Sequence, residues 1–255
     1  MELELDRILA QAFFVGARVG GLMTFAPFFG SLVVSVRVKV ILTVALTAMF
    51  YPIYAPKTVS FDVLDWLVVV SGEMAVGLLI GLAMHFVFDG VRLAGQILGF
   101  QLGFSLANLV DPQSQVDTPV ISIFYSIITM LIFLQLNVHH WMLRGLAKSF
   151  EYVPVGTASP TPEAVTELIR VAGGLWLVAI QLAIPVLIAT MVVDIVLAFL
   201  AKASPQLPVL FMGHSIKAMV GFAVMMGAVA TWPGMLERYF LEALAATERL
   251  LHLVR

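Results

Sequence analysis

The 255-residue chain contains no cysteine. No disulfide can staple it, no thiolate can act as nucleophile, and no metal site can be built on sulfur. Charge is also scarce: Asp, Glu, Lys and Arg make up 12% of residues and sum to −2 at neutral pH. Such a balance offers no basic footprint, so nucleic acid is excluded as a partner. Basic residues are missing where a secretory signal would carry them, because the chain opens on Glu2, Glu4 and Asp6. The first apolar run is therefore expected to be kept as a helix rather than cleaved. Neither Gly-x-x-x-x-Gly-Lys-[Ser/Thr] nor His-Glu-x-x-His occurs, so nucleotide hydrolysis and zinc proteolysis lack their signatures. His139 and His140 are adjacent and on a helix would point about 100° apart, away from a common ligand position. No cofactor or metal is expected. Ser105 lies in Gly-Phe-Ser-Leu-Ala, but Ala107 stands where a nucleophile elbow needs glycine, which disfavours an enzyme.

Hydrophobic residues supply 61% of the chain, and its mean hydropathy is +1.02. Soluble domains do not reach such values. Long apolar runs with at most one charge point to membrane spans. The expected fold is an all-α membrane protein of long hydrophobic helices and helical hairpins.

In order, the runs are Ile8–Phe29, ended by Pro27; Val38–Ala55, with Arg37 and Lys39 at its start; and Val63–Phe88. Val120–Val138 follows a polar interval, and Val171–Leu200 contains Pro185, where a kink is expected. The last run is Val209–Thr231. Between Arg144 and Arg170 the chain looks most soluble, and Thr161-Pro162-Glu163 suits a helix cap and first turn. This interval divides a larger part, 1–150, from a helical hairpin, 151–234, whose turn holds Pro205, Gln206 and Pro208. The tail, 235–255, places Leu236, Phe240, Leu244, Leu251 and Val254 opposite its charges. That pattern predicts an amphipathic helix for a membrane surface or a partner.

The stretch from Asp89 to Pro119 is unlike its surroundings. Gly95, Gly99 and Gly103 recur every fourth residue, which on a helix lets another backbone approach closely. Then come Asn108, Leu109, Val110, Asp111, Pro112, Gln113, Ser114, Gln115, Val116, Asp117 and Thr118, a polar interval bounded by Pro119. At membrane depth such a segment needs protein cover or a watery cavity. A pore constriction and a solvent-facing loop both fit it.

Arg18, Glu73, Asp194 and Lys217 lie inside apolar runs, where each needs a partner or water. Opposite charges permit two buried pairs that fix helix assembly. An alternative use is the ion path of a proton- or ion-coupled secondary transporter. The sequence leaves open which residue pairs with which.

Several stretches carry a family resemblance: ARVGGLMTFAPFFG and VRVKV, GQILGFQLGFSLANLVDP, NVHHWMLRGLAKSFEYVPVG, and AKASPQLPVLFMGHSIK. In order and spacing the chain resembles the FliR family, the R component of the flagellar type III export gate, related to the injectisome T component. The resemblance implies a non-enzymatic subunit of a hetero-oligomeric, helical export-gate complex in the bacterial inner membrane and flagellar basal body, raised toward the periplasm. It implies P and Q subunits as partners, then the B and A export components and basal-body rod proteins. Membrane lipid surrounds the assembly, and unfolded flagellar proteins are its cargo. It makes 1–150 P-like and 151–234 Q-like, and it makes Asn108–Thr118 the plug that closes the channel.

Overall fold

The computed structural model describes residues 2–30, 34–56, 63–104, 119–159, 161–204 and 209–254. Among them every regular element is an α-helix: α1 (Glu2–Phe25), α2 (Val36–Tyr54), α3 (Val63–Gln101), α4 (Val120–Gln135), α5 (Val138–Tyr152), α6 (Pro162–Ala203), α7 (Val209–Val229) and α8 (Trp232–Leu253). The protein is an all-α membrane protein. Four helices, α1, α2, α3 and α6, are long and apolar enough to cross a bilayer, and α4 with α5 and α7 with α8 qualify only as pairs.

The run ending at Phe88 and the glycine-rich stretch beginning at Asp89 form one helix of 39 residues. Asp89-Gly90 does not interrupt it. Asp89 accepts from Arg92 one turn on, at 3.0 Å, and Gly90 admits α6, whose Leu175 carbonyl would lie 2.7 Å from any Cβ there. A single glycine costs a helix only about 1 kcal/mol, which this packing readily offsets. At α6 the local signal is followed closely: Pro162 opens the helix, and Thr161 Oγ1 accepts from the Ala164 amide at 3.2 Å. Proline at the first position sacrifices no bond, and threonine satisfies one of the free amides of the first turn.

The chain forms two compact units. Unit 1 comprises Met1–Val87, Phe133–Gly173 and Phe240–Arg255. In α1, Val15, Val19 and Leu22 are buried on one face, the spacing of an amphipathic helix. This face meets Val76, Ile80 and Met84 of α3, all buried, through glycines: a Cβ on Gly77 would collide with the Arg18 carbonyl oxygen, and one on Gly81 would sit 3.1 Å from the Ala26 amide. Gly20, which the sequence pairs with Gly16, has nothing within 4 Å. Gly20→Ala is therefore expected to stabilise the chain by about 0.5–1 kcal/mol, through lower entropy of the unfolded state. Thermal unfolding in detergent micelles checks it.

Unit 2 comprises Phe88–Ile132 and Gly174–Tyr239. Here α3 packs against α4 where Gly95 meets the Ser122 backbone, and Tyr125 of α4 lies edge-on to Trp232 of α8, ring centres 4.5 Å apart.

The tail helix corrects an expectation. Its apolar face is consumed by its own chain rather than offered to a membrane surface or partner: Leu236, Phe240, Leu251 and Val254 are all 5% exposed or less. In unit 1, Phe240 stacks edge-on with Phe133, and Leu251 and Val254 join Val76, Val153 and Ala164 in one apolar cluster. Lys148–Glu248 and Arg249–Glu167 ion pairs at 3.4 and 2.9 Å fasten the rim. An amphipathic pattern declares that a face needs cover, and here the cover is intramolecular. The exposed side of α8 carries Arg238, Glu242, Arg249 and His252, and that of α5 carries His140, Arg144, Lys148 and Glu151. Such faces suit water or a polar protein surface, not acyl chains.

Candidate functional site

The four charges set in apolar runs form two separate pairs. In unit 1, Arg18 of α1 and Glu73 of α3 are both wholly inaccessible, with Arg18 Nε donating to Glu73 Oε2 at 2.6 Å. Arg18 Nη1 donates to the Ser149 carbonyl at 2.8 Å and to Ser149 Oγ at 3.3 Å, on α5. The guanidinium also lies 4.3 Å above the ring of Phe150, an attraction that strengthens when the cation is desolvated. Glu73 uses its second oxygen, Oε1, to accept from the Gly156 amide at 2.9 Å. Gly156 has φ +86°, a left-handed conformation that glycine adopts without penalty. One ion pair thus ties three helices to the connection after α5. Arg18 Nη2 has no acceptor among the described residues, so one donor of an otherwise fixed clamp is left unspent.

In unit 2, Lys217 of α7 donates to Asp194 Oδ2 of α6 at 2.7 Å. Gln101, the last residue of α3, donates to the same oxygen at 3.3 Å and to Thr190 Oγ1 at 3.3 Å. The Lys217 side chain is 16% exposed, but that of Asp194 is 47% exposed. Asp194 is therefore not buried by the described residues.

The expected glycine face divides in two. Gly95 lies against the Ser122 backbone, with Ser122 N 2.8 Å from an added Cβ, and Gly99 lies against the Pro119 ring. Gly103 does something else. It takes φ +84°, its amide donates to the Phe100 carbonyl at 3.1 Å, and the Phe104 amide donates to the Gly99 carbonyl at 3.0 Å. These two bonds make a Schellman motif, the left-handed ending that satisfies the last carbonyls of a helix. Gly103 is therefore the stop of α3 rather than a packing position along it. The ring of His214 fills the space where a Cβ would stand.

Asn108–Thr118 lies outside the described residues, as do Ser105 and the hairpin turn with Pro205, Gln206 and Pro208. Unit 1 holds a cavity of about 420 Å³, lined among others by Val68, Leu79, Ala164 and Val254. Its hydroxyls, Ser71 and Thr161, are spent on the Val68 and Leu253 carbonyls. Sequence reasoning did not find Ser149, Phe150, Gly156 or Gln101, the residues that complete the two clusters. Their only signal is proximity, and Ser149 is 131 positions from Arg18.

The profile of one protein family, described as bacterial export proteins, family 1, matches residues 9–243. The flagellar biosynthetic protein FliR of Escherichia coli (strain K12) is 31% identical over 211 residues, 82% of this chain and 80% of that protein. The FliR of Pectobacterium carotovorum is 29% identical over 237 residues, covering 92% of this chain and 90% of the relative. That of Bacillus subtilis (strain 168) is 31% identical over 179 residues, 69% of each. With nearly its full length matched, the chain belongs to the FliR family of bacterial export proteins, family 1.

Proposed function

We propose that the chain is a structural, non-enzymatic subunit of a flagellar type III export gate in the bacterial inner membrane. The observation that carries this reading is the family match over residues 9–243. Its helix lengths add support. The 42 residues of α6 extend roughly 63 Å, about twice the hydrocarbon thickness of a bilayer. Helices α3 and α6 therefore have long stretches that only protein partners or water can surround, as in an assembly raised toward the periplasm. The partners are P and Q subunits, followed by the B and A export components and the basal-body rod.

In this reading 1–150 is the P-like part, 151–234 the Q-like hairpin and 235–255 a tail that seals its own chain. Asn108–Thr118 is the plug. The Schellman stop at Gly103 supports that role, since it ends the long helix α3 just before the interval begins. The secondary-transporter alternative finds no support: Arg18 and Glu73 are closed to solvent and paired with each other, and the family is one of export proteins.

The test is the mass of the detergent-purified particle after co-expression with the P and Q genes of the same genome. A discrete particle far heavier than 27.8 kDa, containing all three chains, is expected. A monodisperse monomer that ignores P and Q overturns the proposal. Within that particle, deleting Asn108–Thr118 is expected to leave assembly intact and to make cells leaky to small solutes. An intact seal after the deletion removes the plug.

A further inference from the structure

One side of α6 is apolar and left exposed by the described residues. Ile184, Ile188, Met191 and Ile195 are 42–59% exposed, and their steps of four, three and four residues set them on one face. Asp194 stands at the edge of that face. Its Oδ2 receives both Lys217 and Gln101, while Oδ1 receives no donor from the described residues.

Three kinds of cover fail on physical grounds. Acyl chains would suit the isoleucines but leave a carboxylate oxygen without a donor, which hydrocarbon penalises heavily. Water would serve Asp194 but strand four large apolar side chains. A second copy of this chain, meeting it across a two-fold axis, would bring a second carboxylate toward the first. Another protein face satisfies both requirements. The Asp194–Lys217 pair already sums to zero charge, so an incoming Lys or Arg would remain uncompensated in apolar surroundings.

We infer that this exposed face of α6 docks an apolar helix of a different subunit, one that sets a single neutral hydrogen-bond donor, a hydroxyl or amide, against Asp194 Oδ1. The inference rests on the export-gate reading and adds which surface is used and what chemistry recognises it.

The experiment uses the complex formed with co-expressed P and Q subunits. The chain has no cysteine, so Ile195→Cys gives it one unique label site. A membrane-permeant maleimide is expected to modify Cys at 195 at least ten-fold more slowly in the complex than in the chain alone. In a Lys217→Met background, where no cation is stranded, Asp194→Asn is expected to yield complex at near wild-type levels. Asp194→Leu in the same background should yield at least ten-fold less, with unfolding temperatures of the isolated chains equal.

Equal labelling rates, a disulfide between two copies at 195, or quenching of a fluorophore at 195 by brominated acyl chains overturns the docking surface. Equal yields of the Asn and Leu forms remove the hydrogen bond. A three-chain complex with position 195 open defeats this inference alone. Absence of any such complex defeats the export-gate reading with it.

Discussion

Glu73→Ala is expected to destabilise the chain by about 3–5 kcal/mol, the cost of stranding one member of a buried ion pair. The reason is the fixed charge of the partner. Arg18 is inaccessible to solvent, and a guanidinium cannot escape by losing its proton. The Gly156 amide, which donates to Glu73 Oε1, loses its acceptor as well. Arg18→Met should cost less, because a stranded carboxylate can neutralise itself by binding a proton. The double variant Arg18→Met/Glu73→Leu buries no charge at all. It should recover most of the loss, less about 1 kcal/mol for the unsatisfied Gly156 amide. The order of unfolding temperatures in micelles is therefore wild type, double variant, Arg18→Met, Glu73→Ala. A double variant as unstable as Glu73→Ala would show that the pair stabilises through specific geometry rather than through charge compensation.

This ranking could not have been written from the sequence. An arginine or a carboxylate in an apolar run is conspicuous because hydrocarbon tolerates it only with a partner, so Arg18, Glu73, Asp194 and Lys217 stand out at once. Their pairing depends on which helices touch, and Arg18 and Glu73 are 55 positions apart. Local chemistry is read best: Thr161-Pro162 marks the start of α6 because a cap involves only neighbouring residues. Tertiary packing overrides the rest. Asp89-Gly90 looks like an interruption yet sits inside α3 because α6 needs the glycine. The tail looks free for a partner yet closes unit 1, since periodicity states that a face is apolar without naming its cover. The repeat Gly95, Gly99 and Gly103 has one spacing but two uses, because the helix ends at Gln101.

The same limit governs the second large effect, Gly77→Ala, expected to cost about 3 kcal/mol or more, at the upper end of overpacking. Sequence alone gives Gly77 and Gly20 similar standing, each the member of a Gly-x-x-x-Gly pair. Their surroundings differ completely. A methyl on Gly77 would strike the carbonyl oxygen of Arg18 and lie 2.9 Å from the Leu22 amide nitrogen. Both are backbone atoms of a helix, so no rotamer change can make room and α1 must move as a body. That shift would also pull Arg18 away from Glu73, whose bond is already short at 2.6 Å, so the steric and electrostatic losses are coupled. The expected loss in unfolding temperature is roughly 6–12 °C, at about 2–4 °C per kcal/mol for a chain of this size. Coupling makes a further forecast: in the Arg18→Met/Glu73→Leu background, where no ion pair constrains α1, Gly77→Ala should cost less than it does in the wild type. Identical costs in the two backgrounds would mean that helix approach and the ion pair act independently, and that the glycine contact alone sets the spacing of α1 and α3.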